Sequence, residues 1–172
     1  MEYFDLFDKN KIKTGLTIPR DSEIPEGYYR LIVSLAIFNS NGDMLIQQRQ
    51  TFKKGWSGLW DISCGGGQIA GESGEDAIRR ETYEELGLDI DFSHMRPSLS
   101  IAIRSGFVDV YLIKKDVELS ELTLQSSEVK DAKWASLDTI LEMIDKREFV
   151  PYNKGLINSL FFFKDSDSTT MK

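Results

Sequence analysis

The sequence predicts an α/β protein of the α+β type, in which a mixed β-sheet is covered by helices on both faces. Residues 30–38 (RLIVSLAIF) and 107–114 are apolar on both sides of a two-residue period, as expected for strands buried on both faces. Residues 73–86 and 136–146 instead repeat apolar residues at helical spacing. Strands and helices in one chain bury these apolar faces by packing as layers, which gives the predicted fold class.

Strand signals dominate the first part of the chain. Residues 3–19 (YFDLFDKNKIKTGLTIP) alternate apolar and polar residues around DKN, which predicts an N-terminal hairpin followed by a polar link, RDSEIPEG. After the strand at 30–38, the turn signal NSNGD predicts that residues 44–49 return as its partner. Further strands are predicted at residues 88–92, 99–104 and 107–114.

The helices carry recognisable end signals. Ser73 can cap the N terminus of the first helix, Asp76 suits the positive end of its dipole, and Gly87 ends it. The second helix is predicted at residues 136–146, and a third begins after Pro151. The final residues, KDSDSTTMK, are typical of a frayed tail.

A chain of 172 residues with 41% hydrophobic content is long enough for one sizeable core, so we expect a single globular unit. We assign residues 1–27 to the hairpin and link of that domain, residues 28–163 to its main body, and residues 164–172 to a flexible tail. The sequence shows no internal repeat and no low-complexity block.

Composition excludes several classes of partner. The formal net charge is −7, and no run of Lys or Arg is longer than a pair, so we expect no nucleic acid polymer and no anionic membrane as a partner. No apolar run reaches membrane-spanning length, and the N terminus lacks the layout of a signal peptide. The single cysteine, Cys64, excludes an intrachain disulfide, so a reducing cytoplasm is the expected location.

An acidic face is predicted on the first helix. At about 100° per residue, Glu81, Glu84 and Glu85 fall within one sector of roughly 100°. Like charges at these spacings destabilise a helix by a few tenths of a kcal/mol per pair, which a cation would offset. Three carboxylates beside the carbonyls of a glycine loop form the oxygen-rich environment that Mg²⁺ prefers. The alternative is a solvated acidic face, which composition alone favours.

The spacing of these residues is more specific than their composition. From Gly66 the chain reads G, five residues, Glu72, seven residues, and then RETYEELGL. This resembles the Nudix box, G(x5)E(x7)REU(x)EE(x)GU, in which U is a bulky aliphatic residue. Every fixed letter is present, and Thr82 at the first U is the one departure. The resemblance extends beyond the box to the two flanking strands, to WSGLWD before the box and to SEVKDAKW after it. It covers approximately residues 28–144.

The resemblance implies a Nudix-type α/β/α sandwich with a loop–helix–loop catalytic motif. It also implies hydrolysis of a diphosphate linkage in a nucleoside diphosphate derivative or a related organic diphosphate, with Mg²⁺ as cofactor and Mn²⁺ as an alternative. The expected metal ligands are three carboxylates and one or both of two glycine carbonyls: Glu81, Glu84, Glu85, Gly65 and Gly66.

The same resemblance implies roles for residues around the ligands. Arg80 would orient Glu81 through a charge-assisted hydrogen bond, and Glu72 and Gly87 would support the geometry of the box. The general base stays open among three carboxylates, Glu81, Glu85 and Glu128. Glu128 follows from the downstream loop that closes over the metals in this family, and its alternative role is an exposed loop charge.

The segment QRQTFKKGWSGLWD holds a local basic cluster with aromatic neighbours. We interpret it as a substrate-binding segment that contacts phosphates and stacks on a planar group. The residues concerned are Arg49, Lys53, Lys54, Phe52 and Trp56. Packing of the aromatic residues is the alternative, and it is the favoured one for Trp60. His94 is interpreted as a loop residue and Cys64 as a small buried hydrophobe.

Two other functions compete with hydrolysis. The N-terminal layout is similar to isopentenyl-diphosphate isomerase, whose chemistry uses a catalytic cysteine and histidine metal ligands. Here Gly65 and Gly67 stand at the expected cysteine and histidine positions, Arg30 replaces a strand histidine, and Cys64 is one residue out of register. The third hypothesis is a catalytically inactive Nudix domain that binds a ligand as a sensor. The expected partner is a small-molecule diphosphate. Many members of the family form homodimers, and the sequence leaves the choice between monomer and homodimer open.

Overall fold

The centre of the main sheet is β3 (Arg30–Phe38), which pairs with strands on both of its edges. The computed structural model, which describes residues 2–165, contains an N-terminal hairpin, a seven-stranded sheet and three α-helices. The hairpin strands are β1 (Tyr3–Phe7) and β2 (Lys13–Pro19). The other sheet strands are β4 (Met44–Arg49), β5 (Trp60–Asp61), β6 (Cys64–Gly67), β7 (Leu99–Ile103), β8 (Gly106–Lys114) and β9 (Val129–Ala135). The helices are α1 (Gly74–Leu86), α2 (Leu137–Asp145) and α3 (Lys154–Phe163).

The main sheet is mixed, as the sequence predicts. Its order is β5-β4-β3-β8-β7, with β6 also paired to β3 and β9 to β4. The β3–β8 pair is parallel, with Arg30 opposite Gly106 and Phe38 opposite Lys114. The other pairs are antiparallel. Because β6 pairs with β3 and runs directly into the loop before α1, the central strand fixes the start of that helix.

Two cores lie on opposite faces of the sheet. One core joins Val33, Leu35 and Ile37 of β3 to buried residues of α1, including Ala77 and Ile78. The other core joins the alternate β3 residues to α2 and α3: its members include Ala36, Phe38, Ile140, Met143, Ile157 and Leu160. The structure therefore confirms the predicted α+β sandwich with helices on both faces.

The hairpin packs against its own domain. Phe7 forms an antiparallel bridge with Tyr29, just before β3. Phe4 is 3% exposed, and Lys11 forms an ion pair with the buried Asp109 of β8. The Nζ atom of Lys11 also donates to Ser100 Oγ at 2.9 Å. These contacts place the hairpin over one end of the sheet, next to the start of α1.

The strands predicted from the sequence differ from the observed ones at several short segments. The predicted strand at residues 88–92 is wrong: the segment is irregular, and Phe92 is 1% exposed because it fills the α1-side core from a loop. Apolar periodicity therefore reflected burial and not strand pairing. Strands β5, β6 and β9 were missed, since β5 has two residues, β6 reads CGGG, and β9 is largely polar.

The predicted helices are present with the expected ends. Ser73 caps α1 by accepting from Asp76 N, and Gly87 ends it in a left-handed conformation with φ 72°. Ser136 and Asn153 cap α2 and α3. None of the helices within residues 2–165 has both the length and the hydropathy of a membrane-spanning segment. Of the predicted tail, Asp165 forms an ion pair with Lys114, and residues 166–172 lie outside the described residues.

Candidate active site

Helix α1 presents its acidic residues toward the glycine strand β6. Its apolar side packs into the core through Ala77, Ile78 and Leu86, all 0% exposed. Thr82, the one departure from the box pattern, is also fully buried, and its hydroxyl donates to Ile78 O at 2.6 Å. This bond within the helix satisfies the hydroxyl, so the polar residue is tolerated on the packing side.

The predicted ligands lie along one cleft with a volume of about 390 Å³. Its walls come from the hairpin, β4 and the loop after it, β6, α1, and the segment before β9. The lining residues are Glu2, Arg20, Arg49, Lys53, Gly65, Gly66, Arg80, Glu81, Glu84, Glu85, Gln125 and Glu128. The cleft therefore combines residues from the box, the basic segment and the downstream turn, which are far apart in the sequence. They come together because all of these elements meet at one end of the sheet.

Arg80 organises the acidic side of the cleft. Its Nε and Nη2 atoms donate to the two oxygens of Glu72 at 2.7 and 3.0 Å. Nη1 donates to Glu81 at 2.7 Å and to Glu84 at 3.2 Å, and Nη2 also donates to Gly67 O at 3.1 Å. Burial works against the charge of Arg80, but the bonds to Glu72 and Glu81 raise its pKa, so it stays cationic.

Glu85 is held from the other side. Gln47 Nε2 donates to Glu85 Oε2 at 2.8 Å, and the Gly65 N–H donates to the same oxygen at 3.3 Å. Burial and then the charge of Glu81 raise the pKa of Glu85 to about 8. Burial likewise raises the pKa of Glu81, against the lowering effect of Arg80. In the metal-free protein these two carboxylates are therefore costly to ionise together.

The glycines of β6 permit close approach by neighbouring groups. A Cβ atom at Gly66 would collide with the carboxylate of Glu81, and one at Gly67 would collide with the ring of Phe4. Gly66 therefore lets a box carboxylate lie against the strand backbone. Gly67 lets the hairpin pack against the same strand, which explains why consecutive glycines precede the helix.

The donor set fits a hard divalent cation in its chemistry. Across residues 2–165, no three Asp, Glu, His or Cys side chains form a group that could hold a metal ion in the conformations seen. In these conformations Arg80 engages Glu81 and Glu84, whereas Gln47 and Gly65 engage Glu85. All three carboxylates nevertheless line one cleft, and Gly66 leaves room for Glu81 beside the backbone. Carboxylate and backbone carbonyl oxygens are the ligands that Mg²⁺ prefers.

The basic residues of the cleft are already paired with carboxylates. Lys53 forms an ion pair with Glu128, which lies in the turn just before β9. Arg49 Nη1 lies 3.4 Å from Asp61 Oδ2, and its Nε donates to Gly55 O at 3.1 Å. Burial raises the pKa of Asp61, against the lowering effects of Tyr152 and Arg49. Glu128 thus lines the cleft, although it lies far from the box in sequence.

Other predicted substrate-binding residues are not among those that line the cleft. Lys54 is exposed, and Phe52 and Trp56 are 68% and 54% exposed on the same loop. Trp60 instead packs against the core, with Lys133 Nζ 4.2 Å from its ring centroid, as the packing interpretation predicted.

His94 and Cys64 occupy the loop and core positions that the sequence predicted for them. His94 is an exposed turn residue. Cys64 is 1% exposed, its Sγ lies 3.5 Å from Thr82 Oγ1, and burial raises the pKa of its thiol.

Sequence reasoning missed three residues that line the cleft and a fourth that contacts one of its carboxylates. Glu2 and Arg20 of the hairpin form an ion pair there, and Gln125 also lines it. Gln47 contacts Glu85 from β4. The spacing of the box carries no signal for them, because the hairpin and β4 reach the cleft only through tertiary packing. The one available signal was Gln47 itself, a polar residue at a position where the pattern of β4 calls for burial.

Comparisons with known proteins agree with the geometry. Residues 28–154 match the family model for the NUDIX domain. An uncharacterised Nudix hydrolase from Listeria monocytogenes is 40% identical over 166 residues, which covers 96% of this chain and 97% of that protein. Nudix hydrolase 3 from Arabidopsis thaliana is 31% identical over 93% of this chain and 23% of its own length. Isopentenyl-diphosphate Δ-isomerase from Escherichia coli is 28% identical over 84% of this chain and 82% of the isomerase.

Solved structures show the same fold. A protein from Deinococcus radiodurans superposes with a TM-score of 0.75 at 24% identity, covering 92% of this chain and 99% of that one. A MutT protein from Methanosarcina mazei superposes with a TM-score of 0.59 at 21% identity, covering 80% and 96% of the two chains. At these identities the likeness concerns the fold alone.

Proposed function

This chain belongs to the Nudix hydrolase family, and on that premise we propose that it is a Mg²⁺-dependent enzyme cleaving a diphosphate linkage. The substrate class is a nucleoside diphosphate derivative or a related organic diphosphate. The observation that carries the proposal is that one cleft is lined both by Glu81, Glu84 and Glu85 and by the basic residues Arg49 and Lys53. Such a cleft combines ligands for a cation with groups that bind phosphate oxygens.

The residues proposed to hold the ion are Glu81, Glu84 and Glu85, with the carbonyl of Gly65 or Gly66 as a further ligand. When bound, Mg²⁺, or Mn²⁺ in its place, would neutralise phosphate oxygens and lower the pKa of an attacking water. To bind the ion, Glu81 and Glu84 would give up their hydrogen bonds from Arg80 Nη1. Arg80 would remain anchored through its two bonds to Glu72, so the box keeps its shape during the exchange.

Lys53 and Arg49 are the proposed phosphate ligands. Both line the cleft, and Lys53 is paired with Glu128. A phosphate oxygen would compete with Glu128 for the ammonium group, since both are anionic oxygen ligands. Glu128 would then be free to accept a proton from the attacking water, and we propose it as the general base in preference to Glu81 and Glu85, which serve as ligands.

The exposed aromatic residues supply a proposed contact for the group linked to the diphosphate. Phe52 and Trp56 lie on the loop that also carries Lys53, and their exposed rings can stack on a planar group. This contact favours a nucleoside or another flat substituent. The acidic net charge of −7 supports a small diphosphate as partner in place of a nucleic acid polymer. The buried, free Cys64 is compatible with a reducing cytoplasm.

The isomerase reading is disfavoured by the position of Cys64. Its thiol is buried against Thr82 in the core between β3 and α1, and it is not among the residues that line the cleft. A protonated thiol in that position cannot reach a substrate at the carboxylates. In the sensor hypothesis the same cleft binds a ligand without turnover. An activity measurement distinguishes a sensor from a hydrolase.

The test is product release from a panel of nucleoside triphosphates, nucleotide sugars, dinucleotides and isoprenyl diphosphates. Inorganic pyrophosphatase reports pyrophosphate, and a phosphomonoesterase reports monophosphate products from the other classes. We expect turnover of one class with Mg²⁺ and none with EDTA, and none from a Glu84→Gln variant. No turnover of any class, with ligand binding intact and isopentenyl diphosphate unchanged, would support the sensor reading instead.

A further inference from the structure

Gln47 is a buried polar residue in the middle of a core strand. It is 4% exposed and follows Met44, Leu45 and Ile46, each 0% exposed. Side chains alternate along a strand, and Leu45 packs in the α1-side core, so Gln47 points toward the same helix. An apolar side chain would be the favourable choice at such a position, because a buried amide loses its hydration.

The contacts of Gln47 explain the amide. Its Nε2 atom donates to Glu85 Oε2 at 2.8 Å, and the Gly65 N–H donates to the same oxygen at 3.3 Å. Two donors from two different strands therefore fix one oxygen of the carboxylate. Glu85 lines the cleft, so its Oε1 is the oxygen left available there.

The Oε1 atom of Gln47 indicates that the contact with Glu85 sets the orientation of the side-chain amide. Gln47 Oε1 is buried and has no hydrogen-bond partner among the residues described. Metal binding requires Glu85 to be ionised, and turning the amide over would place this oxygen against the ionised carboxylate, where two acceptors repel each other. The donor toward Glu85 is thus kept at the expense of an unsatisfied acceptor, which buried polar groups generally avoid.

We propose that Gln47 is a positioning residue that holds Glu85 so that its free oxygen is presented to a divalent ion in the cleft. This inference rests on the proposed function, because it requires Glu85 to be a metal ligand. Gln47 itself touches neither ion nor substrate. Partners that orient a metal ligand typically contribute about 10- to 100-fold to metal affinity or activity.

The chain supplies a matched control one residue along the strand. Gln48 points to the opposite side of β4, and its Nε2 donates to Gly58 O at 2.9 Å. We would compare Gln47→Met with Gln48→Met, since methionine keeps the length of the side chain and removes the amide. Mn²⁺ binding without substrate would be measured by electron paramagnetic resonance, and the Mg²⁺ concentration that half-saturates turnover would be measured separately.

We expect Gln47→Met to weaken Mn²⁺ binding by about 10-fold or more, while Gln48→Met binds like the wild type. We also expect saturating Mg²⁺ to restore most of the kcat of Gln47→Met, because the ligand itself is intact. Equal binding by both variants and the wild type would overturn the proposal. Equal weakening in both variants would also overturn it, since that result indicates a general disturbance of β4.

A measurement on the unaltered protein covers the case in which Gln47→Met fails to fold. The side-chain amide of Gln47 should give a ¹⁵N–¹H signal that shifts on addition of Mg²⁺, whereas that of Gln48 stays in place. An unmoved Gln47 signal during saturable metal binding would overturn the proposal. If the wild type binds no Mn²⁺ at all, the proposed function fails first, so the two failures are distinguishable.

Discussion

Arg80 and Glu72 form a two-point ion pair, with Nε–Oε1 and Nη2–Oε2 distances of 2.7 and 3.0 Å. This pair leaves Nη1 free to reach Glu81 at 2.7 Å. We predict that Arg80→Lys lowers the free energy of unfolding by about 1–3 kcal/mol, because lysine cannot reproduce the forked geometry. Turnover should fall by about 10- to 100-fold, because the Arg80–Glu72 contact that keeps the shape of the box is weakened. Urea denaturation and steady-state kinetics measure the two effects.

A double-mutant cycle with Glu72→Gln checks that the two residues act as a pair. Because they share their hydrogen bonds, the loss in the double variant should be smaller than the sum of the single losses, with a coupling of about 0.5–3 kcal/mol. Additive losses would show that Arg80 acts independently of Glu72.

The box carboxylates give the second prediction. We expect Glu84→Gln and Glu85→Gln to lower kcat by at least about 100-fold, because each removes a charged metal ligand and so several kcal/mol of transition-state stabilisation. Glu84 is half-exposed and its substitution should leave the fold intact. Circular dichroism checks the fold, and single-turnover kinetics checks the chemical step. Full activity in both variants would contradict the proposed metal site.

The third prediction separates two neighbouring lysines. Lys53 lines the cleft beside Glu128, whereas Lys54 is exposed and is not among the lining residues. We predict that Lys53→Ala raises KM by about 10-fold, the equivalent of one charged hydrogen bond to phosphate, and that Lys54→Ala changes it less. The comparison requires the substrate identified by the panel. Equal effects would mean that the loop binds substrate in a conformation different from this one.

A fourth prediction concerns the close approach at Gly66. Alanine there would force the Glu81 carboxylate away from the strand, because a Cβ atom collides with it. We expect Gly66→Ala to lower turnover by about 100-fold, as a displacement of about 1 Å at a reacting group can do. Gly55→Ala is the matched control, since a Cβ atom at Gly55 meets no neighbour within 4 Å. Similar kinetics for the two variants would rule out this steric role.

The fifth prediction is a pH effect on the metal-free protein. The pKa of Glu85 is about 8 in the fold, against an ordinary value of 4.5, so the folded state binds more protons than the unfolded state between these values. The stabilisation from protonated Glu85 is complete below about pH 4.5 and is lost as the pH rises through about 8. We expect the free energy of unfolding in EDTA to fall between about pH 5 and 8, by about 1.4 kcal/mol per unit of pKa difference at most.

Glu85→Gln supplies the comparison for that effect, because glutamine does not titrate. Its unfolding free energy should vary less across the same pH window, and Mg²⁺ should reduce the decline in the wild type by stabilising the ionised carboxylate. Parallel stability curves for the two proteins in EDTA would refute the raised pKa.

The sequence alone was sufficient for the parts of the molecule that are set by local pattern. The double-sided strand at 30–38 and the caps Ser73 and Gly87 follow from periodicity and local hydrogen bonding, and the structure confirms them. The three carboxylates of α1 share a face because helical geometry is fixed at 3.6 residues per turn. Resemblance to the family made Glu128 a candidate beside an exposed loop charge as the alternative, and local pattern alone gave no signal for it.

Tertiary packing decided what no local pattern encodes. The hairpin brings Glu2 and Arg20 to the cleft, and β4 brings Gln47 to Glu85, because the pairing of distant strands sets these distances. The same packing places Lys53 at the cleft and leaves Lys54 outside it. It also makes residues 88–92, whose pattern resembled a strand, a loop that buries Phe92. Sequence determined which groups α1 carries. Only the assembled sheet determined which groups face them, since those contacts join segments that are far apart along the chain.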